Sequence, residues 1–471
     1  MNIRLYFCGI LFFVSHVSLA STDLLNQIKN NNFDSATDAI SAYEANAFSS
    51  TTSEEALTTL YDQLATALKE EDLTVLNDWI AHDPGNHIPY LLKGMYFYEL
   101  GWRYRGKKYL RFTPEENIQK MHGAFSLAEK QLLKAIAIYP NAVSAYENLI
   151  GLYFANGNAS TKGKAIYEKG IVKNPDSVEI RKKFLWFLLP KWGVSYEIRK
   201  HYVDEIERAS QNNERLKLVL AHNYAQLADE VHENYELTAK LYDKAMSYGY
   251  QCSIHKDEAF MMFNYKHYQQ ALNELNGLID RCPNNASAYL IRARTVRKLG
   301  DKRSALSDLD TALLLSPGDP QILGTRGFFH IREKNYREAI TDLSNALSKN
   351  QKIPWMWDNR GYAYYKLEMY DEAISDFTST LQVDSGYKRA YRRRGNTYKK
   401  LHKYDLALQD YSAGLEVAPD NVSLLLRRAK LYFKELSNTV AALKDVEHVL
   451  RIEPKNKKAK KLKSKINDAT N

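Results

Sequence analysis

Chemistry needs reactive side chains at set spacings, so the histidines come first. There are twelve, and none forms a ligand pattern with Cys or carboxylates. His255 and His267 are the nearest suggestive pair, but twelve residues put them on different helices. No metal site and no cofactor is expected. A glycine-rich phosphate loop, an HExxH pair and a GxSxG elbow are all absent. Ser195, in the stretch WGVSYE, lacks a nucleophile's local turn and reads as the cap of the helix that follows. Glu115 and Glu116 follow Pro114 and belong in a helix first turn, where carboxylates oppose the macrodipole. Trp102 beside Gly101 and Trp192 beside Gly193 either line a pocket or pack where helices meet irregular backbone. An enzyme centred on Trp102, Arg105 and Trp192, within residues 60–210, is the catalytic alternative. Elsewhere no acid–base pair stands out from surface carboxylates.

The elements that would position any site are set by a repeat. Small residues recur at Ala259, Ala293, Gly327, Gly361, Gly395 and Ala429, each 34 after the last. Twelve residues after the first five stand Ala271, Ala305, Ala339, Ala373 and Ala407, and the sixth unit gives Ala441 and Ala442. Aromatics precede these alanines at Tyr268, Tyr336, Tyr370 and Tyr404, and Pro283, Pro317, Pro419 and Pro454 close units. Two antiparallel helices of about 13 residues, roughly 20 Å long, fill such a period. Only Gly or Ala fits where they cross, and proline ends the second helix. One hairpin cannot bury its apolar face, so neighbours must stack. The 471 residues are 45% hydrophobic and 26% charged, which fits a folded chain. No apolar stretch of about 18 residues is present to cross a membrane.

The stretches WDNRGYAYYKLEMYDEAISDFTSTL from Trp357 and YRRRGNTYKKLHKYDLALQDYSAGLEVAP from Tyr391 resemble the tetratricopeptide repeat. The resemblance implies an all-α fold, a right-handed α-solenoid of stacked antiparallel helix pairs. Six units span residues 252–454, the last with one extra residue near Asn438. The remaining blocks are 1–20, 21–52 (helical segment and linker), 53–210 (divergent helical domain with degenerate units), 211–251 (divergent helix pair) and 455–471 (basic capping helix and tail). GWRYRGKKY from Gly101 and LPKWGVSYE from Leu189 resemble a bacterial domain of unknown function that precedes such arrays.

In such a solenoid the first helices of successive units line a concave groove. Its expected lining is Arg294, Arg297, Asn359, Tyr362, Arg389, Arg392, Arg393, Asn396, Arg427 and Lys430. Arg forks and Tyr faces suit an extended acidic peptide. Arg392 and Asn396 match part of the carboxylate clamp of chaperone-binding repeats, but Arg427 stands where that clamp has a second Asn. The alternative is that these cations only solvate an exposed face or pair across helices.

Arg4, the apolar run Leu5–Val14, and small residues Ser18 and Ala20 read as a signal peptide cut before Ser21. Export leaves Cys252 and Cys282, at the start of a first helix and the end of its partner, where antiparallel packing favours a disulfide. The net charge is +9, but residues 455–471 hold seven Lys and one Asp. Without that tail and the signal peptide the chain is near +2, too little for a nucleic-acid footprint. In the tail, Ala459, Leu462 and Ile466 share a helix face, a capping helix or else a contact for anionic lipid. The reading is a non-catalytic exported scaffold, periplasmic or secreted, that holds a protein or peptide partner. A chaperone-like factor of the endoplasmic reticulum lumen, with Asn158, Asn285 and Asn421 as glycan acceptors, is the third possibility.

Overall fold

The computed structural model describes residues 11–47, 51–106, 113–157 and 159–470. Arg4, Cys8, the start of the apolar run, Lys107–Tyr109 and Asn158 lie outside them, as does the middle of the expected linker. The described residues form helices, and the chain divides into two compact units, Met1–Asn285 and Ala286–Asn471.

The first unit contains α1 (Leu11–Lys29), α2 (Phe33–Asn46), α3 (Thr51–Ala67), α4 (Leu73–His82), α5 (Ile88–Arg105), α6 (Glu115–Ile138) and α7 (Val143–Ala155). It continues with α8 (Lys164–Lys173), α9 (Val178–Phe187), α10 (Tyr196–Ser210), α11 (Arg215–Glu230), α12 (Tyr235–Ser247), α13 (Cys252–Asn264) and α14 (Tyr268–Arg281). Leu24 and Ile28 are buried, and both lie beyond Ala20, on the retained side of a cut before Ser21. The longest hairpin is α5–α6, with helices of 18 and 24 residues. Its axes approach closely at Gly94, where a Cβ would meet Leu132 Cγ at 2.7 Å. Trp79, Phe125, Tyr146, Tyr167 and Phe184 fill the core. Glu54 of α3 is fully buried at the start of α9. It accepts the Val178 N–H at 3.0 Å, the Ser177 hydroxyl and Arg215 Nη2 at 3.1 Å. A carboxylate there satisfies helix N–H groups that lack intrahelical partners.

The second unit is a regular stack: α15 (Ala286–Lys298), α16 (Lys302–Leu315), α17 (Pro320–Arg332), α18 (Tyr336–Lys349), α19 (Pro354–Lys366) and α20 (Tyr370–Val383). It ends with α21 (Lys388–Lys400), α22 (Tyr404–Val417), α23 (Val422–Lys434), α24 (Thr439–Ile452) and α25 (Lys457–Thr470). From α17 to α23, each first helix packs on its own partner and on the second helix of the preceding hairpin. Within hairpins the turns pass through positive φ at the same register: Lys334 (66°), Glu368 (62°) and His402 (59°). A Cβ on Gly361 would meet Phe377 Cε1 at 2.9 Å and Asp376 Cβ at 3.0 Å, so the crossing admits no side chain there. Ala459, Leu462 and Ile466 of α25 are buried against the end of the stack, leaving its polar side outward.

A second periodic device accompanies the small residues. Arg292, Arg326, Arg360, Arg394 and Arg428 each donate two hydrogen bonds to Asp308, Asp342, Asp376, Asp410 and Asp445 of the partner helix, at 2.7–3.0 Å. The third nitrogen of four of them reaches the preceding hairpin: Arg326 to Asp310, Arg360 to Ser344, Arg394 to Thr378 and Arg428 to Ser412. Each such guanidinium therefore ties three helices together.

The hairpin α13–α14, in the first unit, keeps the small residue Ala259 but not this device. Glu258 and Glu274 occupy the Arg and Asp positions of the later hairpins. Glu274 is taken by His255 Nε2 at 2.8 Å, whose Nδ1 meets Tyr250 Oη at 2.8 Å. Glu258 is left buried, and burial, with Glu274 and Asp243 adding to it, pushes its carboxyl up to about 7. An unfolded Glu titrates near 4.3. Between those values the folded chain holds a proton that the unfolded chain has released, so stability falls as pH rises through the window. Glu258→Gln should stabilise this unit at pH 8, by about 3 kcal/mol at most, and should lose that advantage near pH 4. Thermal melts at the two pH values measure it; an equal effect at both would show that Glu258 does not titrate in this window.

Candidate functional site

Three consecutive first helices of the second unit converge on a cleft of about 280 Å³. Tyr362 and Tyr365 come from α19, Arg392, Arg393 and Asn396 from α21, and Arg427 from α23, with Phe377 of α20 also in the lining. Register explains the convergence. Tyr362 and Asn396 are 34 residues apart, as are Asp358, Arg392 and Arg393 with their counterparts one unit along.

The four guanidiniums here are not equivalent. Arg393 stacks over Tyr362 at 4.3 Å, donates to the Asp358 carbonyl at 2.8 Å and lies 2.9 Å from Asp358 Oδ2. Arg389 Nε lies 3.1 Å from the same oxygen, and its Nη2 donates to Tyr387 Oη at 2.6 Å. Asp358 is fully buried, and burial raises its carboxyl despite both arginines. Arg427 Nη1 donates to Asn396 Oδ1 at 3.0 Å, and Tyr411 Oη donates to that same oxygen at 2.9 Å. The Arg427 Nε is buried without a hydrogen-bond partner. Arg392 lines the cleft, half-buried, and no described side chain accepts from it. Burial lowers its pKa first, then the charges of Arg427 and Arg393. Four arginines against one carboxylate leave the cleft strongly positive, a standing repulsion that an anion would relieve.

The structure thus gathers Tyr362, Arg392, Arg393, Asn396 and Arg427, with Arg389 joined through Asp358. Asn359 is buried within α19. Lys430 lies one turn beyond Arg427, exposed, and its pKa is lowered by burial and by Arg427, Lys458, Lys434 and Lys399. Arg294 and Arg297 sit on α15, outside the cleft lining. Arg297 is committed to Glu333 at 3.1 Å and lies over Phe329. Phe377 stands on a second helix, α20, and so lies outside the first-helix pattern that points to the other lining residues.

Other chemistry-bearing residues have packing partners. Ser195 accepts the Ile198 N–H at the start of α10, a cap. Glu115 and Glu116 stand in the first turn of α6. Trp102 packs on Tyr98 and Phe125 beneath Arg105, while Trp192 packs on Trp186 and Phe187 beside Lys191. His267 stacks on Tyr235. Cys252 and Cys282 are joined, with Cα atoms 6.4 Å apart, linking the first residue of α13 to the residue after α14.

Models of the tetratricopeptide repeat match residues 356–385 and 389–421, α19–α20 and α21–α22 with their turns. These two hairpins are tetratricopeptide repeats, all-α units, within a chain whose described elements are all helical. Among solved structures it is similar to PilW, a type IV pilus biogenesis factor, at 19% identity over 45% of this chain and 97% of that one, TM-score 0.42. It is also similar to PilF of Pseudomonas aeruginosa, at 17% identity over 45% and 97%, TM-score 0.41. YrrB, described as having an unusual peptide-binding site, matches at 19% identity over 40% and 97%, TM-score 0.35. At such values nothing about ligand or role transfers. No curated protein matches the chain. No described helix is long and apolar enough to cross a membrane.

Proposed function

We propose that this protein is an exported, non-catalytic scaffold that holds an acidic peptide segment of a partner protein in the cleft between α19, α21 and α23. The observation that carries the reading is Arg392, a half-buried guanidinium with no described acceptor, facing Arg427 across a cleft walled by tyrosines. The fork of Arg392 offers parallel N–H donors to one carboxylate, and Arg427, whose Nη1 already donates to Asn396, adds its charge. Tyr362 and Tyr365 give an extended chain apolar contact at low entropic cost. Export is supported by the N-terminal pattern of Arg4, the Leu5–Val14 run and Ala20.

The test is the affinity of a labelled peptide of alternating Glu and Gly for the full chain. Arg392→Glu should weaken it at least tenfold, since reversing one charge at the cleft removes a fork and adds repulsion. The fall should shrink at high salt. An unchanged affinity in this variant would remove the cleft from the interaction.

A further inference from the structure

A buried carboxylate lies just behind the cleft lining, paired to one of its arginines, and this bears on which anion fits. Asp358 stands behind Arg393, fully buried, and engages Arg389 and Arg393 at 3.1 and 2.9 Å. Arg393 is fixed further by the Asp358 carbonyl and by the ring of Tyr362. Two of the four guanidiniums are therefore spent inside the protein. Arg392 and Arg427 remain to meet a ligand, and the amide oxygen of Asn396 is already taken by Arg427 and Tyr411.

We propose that Asp358 is the specificity determinant of this cleft, holding back Arg389 and Arg393 so that it prefers a single carboxylate to a phosphoryl group. This rests on the acidic-peptide reading above. The physical reasons are donor count and charge. A carboxylate has two oxygens and one negative charge, and the fork of Arg392 beside the charge of Arg427 satisfies it. A phosphoryl dianion presents three oxygens and close to two charges. It gains most from further guanidinium forks, which Asp358 keeps from it by pairing Arg389 and Arg393, and it is repelled by Asp358 about twice as strongly as a monoanion is. The carboxylate is thus a built-in competitor for the donors a phosphate would use.

Removing its charge should reverse the preference. In Asp358→Asn the side chain still offers an oxygen to Arg393, but Arg389 and Arg393 lose their counter-charge. Binding of the Glu/Gly peptide and of its counterpart with phosphoserine in place of Glu would be measured on the full chain by fluorescence anisotropy. The ratio of the two affinities should move toward phosphoserine by about tenfold, the effect of one unit charge in a partly solvated site. Arg389→Met, which leaves Asp358 charged and removes a cation, should move the ratio the other way. That variant also keeps the test open if Asp358→Asn does not fold. Ratios equal to wild type in either folded variant, with binding still lost in Arg392→Glu, overturn the role of Asp358 and leave the cleft assignment standing. Binding that survives Arg392→Glu overturns both.

Discussion

Asp376→Ala should cost the second unit about 3–5 kcal/mol. The carboxylate lies 2.8 Å from both Nε and Nη2 of Arg360 and is nearly inaccessible to water, 3% exposed. Truncating it leaves a guanidinium in the crowded junction of α18, α19 and α20, where only Ser344 still accepts from it. The aromatic faces of Trp357 and Tyr364, 4.9 and 5.8 Å from its carbon, soften the loss without replacing two charged hydrogen bonds. Arg360→Met combined with Asp376→Leu should cost much less than the single change, because no charge is left stranded. Chemical unfolding followed by circular dichroism gives both numbers. Since a repeat array loses cooperativity when one junction weakens, hydrogen exchange should localise the loss to α19 and α20. A single-variant cost below about 1 kcal/mol would mean these pairs behave as surface ion pairs.

The same five pairs show where the sequence speaks and where it is silent. The small residues at Gly327, Gly361 and Gly395 were legible because each repeats a steric constraint with period 34. The arginine immediately before each one has the same period, and so, up to the extra residue near Asn438, does the aspartate three after the alanine. They were passed over because a charged residue on a helix reads as solvated by default. Periodicity of the charges, rather than their type, was the signal. In the groove, first-helix positions found Arg392, Arg393, Asn396 and Arg427. They equally nominated Arg297, whose partner Glu333 lies 36 residues away. A local pattern does not reveal which cation is already spent. The first unit was harder for a related reason. Its helices vary from 10 to 24 residues, and the buried capping of α9 by Glu54 bridges 124 residues of sequence. Its hairpin α13–α14 also packs with Ala221 and Tyr242 of α11 and α12, so the repeat expected to open the array at 252 falls within the first compact unit.

Removing the disulfide should destabilise that first unit by about 3–4 kcal/mol, the loop-entropy value for a 30-residue closure. The bond joins the first residue of α13 to the residue after α14, so it fastens the open end of the hairpin opposite the turn at Lys266. Within the hairpin the carboxylates Glu258 and Glu274 stand where the later hairpins have Arg and Asp, and His255, bonded to Glu274 and Tyr250, takes the place of the guanidinium. The covalent link thus falls in the hairpin that lacks the bidentate ion pair. Cys282→Ala should lower the melting temperature of the full chain's first transition, and reductant should lower wild type to the same point while leaving the variant unmoved. Alkylation of protein taken directly from its native cells adds the compartment to the test. Blocked thiols are expected of a chain that has crossed into an oxidising space. Two freely reactive cysteines in folded protein would show that the pair stays reduced and would withdraw this support from export, while equal melts with and without reductant would show that the closure adds nothing to the packing of α13 on α14.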